Sequence, residues 1–234
     1  MSVSQQLAKL AAEDYYPSSD GQPVAETEIH LLLILNTVAS LRHFFRRWHD
    51  IYVGGNLFLY YQKGDATKRR APDIMVVKGV DASRKRRAFK IWEEKAVPRT
   101  VLEFTSEETA AEDLGLKKAL YRKLKVREYF LFDPLHQYLP QPLIGFLLVG
   151  NDYQPMVPRA DASLVSEELG LRFCPEGSDL GIYTLKTNEK LLPIEDALVR
   201  LDEVEQELQA EKRKSAAMQA ELKRLRQGKK RRKP

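Results

Sequence analysis

Apolar residues recur along this chain with two different periods, and the switches between them mark its elements. From residue 25 to 48 the positions Ile29, Leu32, Leu33, Val38, Leu41 and Phe45 return at steps near three and four, the spacing of a helix face laid on a sheet. Glu26 and Glu28 stand in its first turn, where the helix dipole favours carboxylates. Then the period shortens. Residues 51–61, 73–80, 100–105, 128–132 and 143–149 are short runs rich in β-branched and aromatic types, bounded by Gly, Pro or charge, and they predict strands. Between the third and fourth, residues 107–125 carry Leu114, Leu116, Leu120, Tyr121 and Leu124 at helical spacing. Upstream, residues 4–13 are weakly helical in pattern and 15–21 form a loop of turn-forming types.

Residues 151–193 predict short irregular strands, with 171–173 and 182–185 the clearest. From Ile194 a heptad register opens: Ile194, Ala197, Leu201, Val204, Leu208, Glu211, Ser215, Met218, Leu222 and Leu225 alternate steps of three and four. This is a coiled-coil pattern with a polar gap at Glu211 and Ser215. Residues 194–226 thus offer a face for a homo-oligomer or make a lone solvated helix. The expected organisation is one globular domain over 1–193 and a helical heptad segment with a basic end over 194–234.

Charge sharpens that division. The net charge is +5, but residues 223–233 hold eight Lys or Arg and no acid, which leaves residues 1–222 at −3. The basic signal therefore belongs to the tail, and any nucleic-acid contact by the body has to come from local residues. One cysteine, Cys174, excludes an internal disulfide, and there is no Cys/His cluster for zinc. No run is long and apolar enough for a membrane span or a signal peptide, so a cytoplasmic protein without membrane partners is expected.

The chemistry concentrates between Arg69 and Pro134. Pro72-Asp73 opens one strand, and Glu103 sits inside the apolar run Val101-Leu102-Glu103-Phe104-Thr105. An unpaired buried carboxylate costs several kcal/mol, so an acid there is normally paired, protonated or bound to metal. Neighbouring strands lie ~4.8 Å apart, so Asp73 and Glu103 can converge on one ion, and oxygen donors suit Mg²⁺ or Mn²⁺ better than zinc. Lys117 follows on the next helix, with Asp113 and Tyr121 four residues to either side on the same face. A Lys beside such a metal would orient a water and offset charge at a phosphate. Lys118 is its rival. Lys68-Arg69-Arg70 and Arg84-Lys85-Arg86-Arg87 flank the Asp73 strand at opposite ends, where one of them could grip a phosphate backbone. His30, His43, His49 and His136 share no spacing and read as structural or exposed.

The succession Tyr16-Pro17-Ser18-Ser19-Asp20-Gly21, Pro23-Val24-Ala25-Glu26, Ala71-Pro72-Asp73-Ile74-Met75-Val76-Val77, Trp92-Glu93-Glu94, Val101 to Ser106, Lys117 to Tyr121 and Glu128 to Pro134 resembles the Uma family of bacterial endonucleases over about residues 15–190. That family lies within the PD-(D/E)XK restriction-endonuclease-like superfamily. The resemblance implies an α/β fold with an αβββαβ core, its mixed sheet flanked by helices, and Mg²⁺-dependent phosphodiester cleavage. It makes Asp73 the motif Asp and Glu103 the second acid. It also implies an active lysine displaced from the strand to the following helix, because Thr105 stands where the superfamily's Lys is usually found. It adds Glu26 as a further metal ligand, direct or through water.

The expected function is therefore a metal-dependent endonuclease acting on DNA, with catalytic Asp73, Glu103, Lys117 and Glu26 and with metal on Asp73, Glu103 and Glu26. A protein that kept the fold but binds nucleic acid or oligomerises with little or no catalysis is the alternative. A nuclease for RNA or for a particular nucleic-acid structure would use the same residues.

Overall fold

The computed structural model describes Tyr16, Pro17 and residues 27–230, with 221, 222 and 224–230 described by backbone alone. The helical reading of residues 4–13 and the placement of Glu26 lie outside the described residues. The chain divides into two compact units, residues 1–191 and 192–234.

The first unit opens with helix α1 (Glu28–Phe44), capped by the Thr27 hydroxyl, which accepts from His30 N–H at 3.3 Å. A short 3₁₀ turn (Phe45–Arg47) follows. Then come β1 (Ile51–Gly55), β2 (Leu59–Tyr60), β3 (Arg69–Arg70), β4 (Ile74–Lys78), β5 (Phe89–Lys90), helix α2 (Ile91–Glu94) and β6 (Thr100–Phe104). The next helical segment has three parts: α3 (Ala110–Glu112), a π-helical stretch (Asp113–Lys117) and α4 (Lys118–Lys123). It leads into β7 (Glu128–Phe132), β8 (Leu143–Val149), β9 (Asp152–Pro155), β10 (Leu164–Ser166), β11 (Leu171–Glu176) and β12 (Asp179–Thr184).

Six strands form the main sheet in the order β1-β4-β6-β7-β8-β9, with β6 and β7 parallel and every other neighbour antiparallel. This is the mixed sheet flanked by helices that the sequence leads one to expect. Parallel β6 and β7 need a crossover, and the α3–π–α4 segment supplies it. Side chains alternate across the sheet. Ile74, Val76, Leu102, Phe104, Phe130 and Phe132 face a core shared with Leu33, Ile34 and Leu41 of α1 and with Leu171 and Phe173 of the β10-β11-β12 sheet. Met75, Val77, Val101, Tyr129 and Leu131 face a second core closed by Tyr121 of α4.

Two expectations need correction. The run 51–61 is not one strand: Asn56 has a φ of 45°, a left-handed conformation that Asn tolerates, and the chain leaves β1 there to pair β2 with β3 and β5 in a small separate sheet. On α1 the core face is Leu33, Ile34, Thr37, Ser40 and Leu41, whereas Ile29 and Leu32 are exposed, as are Leu114 and Leu116 in the π stretch. Residues 151–193 do contain strands, in the antiparallel order β10-β11-β12.

The second unit holds α5 (Ile194–Lys230), with Glu195 and Asp196 in its first turn. Among the described residues no helix is long and apolar enough to cross a membrane.

Candidate active site

Asp73 stands one residue before β4, and the antiparallel register of β4 on β6, Ile74 opposite Leu102, brings it level with Glu103. The two are joined through the backbone: Asp73 N–H donates to Glu103 Oε2 at 3.0 Å, and Phe104 N–H donates to Asp73 Oδ2 at 2.7 Å. Leu102 and Phe104 point into the α1 core, so Glu103 points the other way, toward the crossover helix. There Tyr121 O–H donates to Glu103 Oε1 at 2.8 Å, and Lys117 Nζ lies 3.2 Å from Oε2. Lys117 also reaches Asp113 Oδ1 at 2.8 Å. Thr105 O–H donates to the other Asp113 oxygen at 3.2 Å, and Tyr129 O–H donates to the Asp113 carbonyl at 3.0 Å.

The π stretch governs this geometry. A π turn takes about one residue more than an α turn, so it shifts the phase of the helix in mid-course, and such bulges are frequent at functional sites. Here it turns Asp113 and Lys117 inward together and leaves Leu114 and Leu116 outside. Asp113 is fully buried, and because Thr105 and Lys117 hold both its oxygens, it anchors the ammonium over Glu103.

Burial sets the electrostatics. Glu103 and Asp113 are 0% exposed as side chains, while Lys117 at 12% and Asp73 at 13% form the opening toward solvent. Loss of hydration pushes the Glu103 carboxyl up to about 8; Lys117 opposes the rise, and the Asp73 and Asp113 charges add to it. For Lys117, burial alone would favour the neutral amine, but Glu103, Asp113 and Asp73 outweigh it and hold the ammonium above its ordinary range. Burial and Glu103 likewise raise the Tyr121 phenol, keeping it a donor.

Three carboxyl groups against one ammonium leave a negative surplus at an opening lined by Asp73. Among the described residues no three His, Cys, Asp or Glu side chains form a metal-ligand cluster. Two carboxylates on adjacent strands nevertheless fit Mg²⁺ or Mn²⁺, since Mg²⁺ is usually held by one or two carboxylates and keeps its other positions for water and phosphate oxygens.

Asp73, Glu103 and Lys117 thus stand together, whereas Lys118 points elsewhere, its Nζ 3.7 Å above the Phe146 ring. Contrary to the expectation of a structural or exposed residue, His30 places its Nε2 3.3 Å from Asp73 Oδ1, and its ring meets Phe104 edge-on. Its position carried no spacing signal, because its partner Asp73 lies 43 residues away in the chain. Near the site, Arg70 pairs with Glu112 at 3.0 Å and Arg69 covers the Phe58 ring. The 84–87 run lies past the far end of β4, with Arg86 clamped by both Glu94 oxygens at 2.8 Å.

No curated protein matches the chain. A solved structure of a "putative nuclease" from Anabaena variabilis aligns over 65% of this chain and 81% of its own at 14% identity and a TM-score of 0.44. A family model matches residues 5–176, which take in the whole acid and lysine constellation, and the chain accordingly belongs to the Uma2 family, described as "Putative restriction endonuclease".

Proposed function

We propose that the protein is a metal-dependent endonuclease hydrolysing phosphodiester bonds in DNA, with Asp73 and Glu103 holding Mg²⁺ or Mn²⁺ and with Glu26 as a further ligand. One observation carries the reading: a lysine from the crossover helix stands 3.2 Å from a fully buried strand glutamate that is hydrogen-bonded to the Asp73 backbone. The ion, when bound, would activate a water and neutralise charge on the scissile phosphate. The neighbouring carboxylates keep Lys117 protonated, so it acts as a donor and a positive charge, orienting the attacking water and stabilising charge on the phosphate, not as a base. Asp113 and Thr105 hold that ammonium in place. His30 and Phe104 N–H fix the Asp73 carboxylate. Lys117 is turned in on Glu103 and Asp113 beside Asp73 and is not splayed into solvent, and that convergence favours the enzyme over the alternative.

Self-association through the heptad face of α5 belongs to the same proposal. Leu201, Val204, Leu208 and Met218 are all exposed, which supports pairing with a second helix. A solution mass near that of a single chain would end that part of the reading.

The main test is cleavage of supercoiled and linear plasmid with Mg²⁺, Mn²⁺ or chelator, run beside Asp73→Ala and Glu103→Ala. Calorimetric titration with Mn²⁺ gives a second readout. Metal-dependent cleavage and metal binding lost in both variants are expected. Cleavage retained in both would sink the site assignment, and a wild-type protein that cuts neither DNA nor RNA would sink the nuclease.

A further inference from the structure

At the far end of β1 and β4 from the acids, the structure has a second cleft with a different character. The last turn of α1, the segment Trp48–Ile51 and the loop after β4 enclose a groove of about 600 Å³. Arg42, Arg46, Arg84, Lys85 and Arg86 line it, and none of its described lining residues is acidic. Glu94 sits behind it and neutralises Arg86, which it binds through both carboxylate oxygens, and it lies 3.4 Å from Arg84. Asp81 and Asp50 flank the cleft, and the Asp81 carboxylate is turned onto Ser83 N–H and O–H at 2.9 and 2.6 Å.

Several of these cations are held in place by neutral groups. Arg42 donates twice to the Val53 carbonyl, at 3.1 and 2.9 Å, and Arg46 donates to the His43 carbonyl at 2.7 Å. Their charge is therefore fixed in direction, and among the described residues no carboxylate forms an ion pair with either. Arg86 is packed over the Tyr52 ring at 4.3 Å, which stiffens the loop that carries Arg84 and Lys85. Beside them Trp48, 47% exposed, offers a flat aromatic surface backed by Phe44 and Phe45. Fixed cations beside an exposed aromatic ring are what a phosphodiester strand engages: the cations meet phosphates, and the ring meets a base or sugar.

We propose that this groove is a second nucleic-acid contact, gripping the phosphate backbone of the substrate at a set distance from the catalytic acids. The proposal rests on the nuclease reading. The distance follows from α1, which carries His30 beside Asp73 near its start, and from the 3₁₀ turn after it, which carries Arg46. Fourteen residues at ~1.5 Å and two at ~2.0 Å make roughly 25 Å. A duplex rises ~3.4 Å per base pair, so the groove meets the backbone about seven base pairs from the bond at the acids. Duplexes shorter than that cannot occupy both places.

The test is binding by the full-length protein in chelator, read as fluorescence anisotropy of labelled hairpin duplexes of about 5 and about 10 base pairs. Arg46→Glu with Lys85→Glu is compared with wild type, and the charge-neutral Arg46→Gln with Lys85→Gln serves as a milder pair. Both side chains are exposed, so a matching melting temperature verifies the fold. For the longer duplex the Glu pair is expected to weaken binding on the order of tenfold or more and to lower the slope of log affinity against log salt by about 2. The Gln pair should fall between. The wild-type gain in affinity from the short to the long duplex should disappear in the Glu pair. Unchanged affinity and slope in the Glu pair would overturn the groove as a contact, and an equal loss on both duplex lengths would overturn the spacing. Because binding is measured without metal, a protein that cleaves nothing can still pass this test, and an active nuclease can still fail it.

Discussion

Replacing Lys117 by Met removes one charge from a site where two carboxylates depend on it. The ammonium is 3.2 Å from Glu103 and 2.8 Å from Asp113, and both acids are fully buried. Taking one partner from a buried ion pair costs about 3–5 kcal/mol, because the charge left behind has neither water nor a counter-ion. Methionine keeps most of the apolar stem, so little of the cost comes from lost packing. For a unit of this size the expected fall in melting temperature is roughly 6–20 °C. The sign with pH follows from Glu103: Lys117 opposes the rise of its carboxyl, so without Lys117 Glu103 holds its proton to still higher pH, and the deficit of the variant grows as pH rises through about 8. Millimolar Mg²⁺ or Mn²⁺ should restore part of the loss if Asp73 and Glu103 bind it. The control is Lys118→Met. Its ammonium lies over Phe146, a contact worth about 0.5–1 kcal/mol at an exposed site. Thermal or urea melts of the four combinations, each variant with and without metal, decide the matter. Equal losses in the two variants, or a Lys117→Met loss below about 1 kcal/mol, would refute the buried triad.

Glu103 itself makes a pH prediction. Its carboxyl is raised from 4.5 to about 8, so between those values the folded metal-free protein holds more protons than the unfolded chain, and stability falls as pH rises through that window. Glu103→Gln should remove most of that slope in melts from pH 5 to 8; a slope that persists unchanged would assign it to another acid. At Gly55 an added Cβ would stand 2.5 Å from Val38 Cγ2 and 3.4 Å from the Asp73 carbonyl, where α1 packs on β1. Gly55→Ala should therefore cost about 1–3 kcal/mol in denaturant melts, and a neutral result would mean that α1 shifts freely. Deleting residues 223–234 should weaken non-specific DNA binding and flatten its salt dependence, and an unchanged slope would give the tail another partner.

The site was legible to an unequal degree. Glu103 announced itself as an acid in an apolar strand, and Asp73 as the opening residue of another strand, because strand alternation and the cost of buried charge are local facts. Lys117 could be narrowed only to itself or Lys118. The step of four to Tyr121 favoured it, but the decision belongs to the π stretch, which no spacing rule reveals, since a π insertion changes the phase that the rule assumes. The same insertion explains why Leu114 and Leu116 fit a helical pattern and are nevertheless exposed. His30 is not legible in the sequence for a related reason: its partner Asp73 is 43 residues away, and a lone histidine on a helix carries no period.

By itself, then, the sequence determined the fold class, the order of helix, strands and crossover helix, the heptad segment and the two acids, because periodicity, propensity and the penalty for buried charge act over a few residues. Only the tertiary structure decided which face of α1 is core, where residues 51–61 break into two sheets, which lysine meets Glu103, and that Asp113, Thr105 and His30 complete the surroundings of the acids. Those outcomes depend on strand register and on helix phase against a particular sheet. The few ångströms that separate an ion pair from a solvated charge are set there, between residues far apart in the chain.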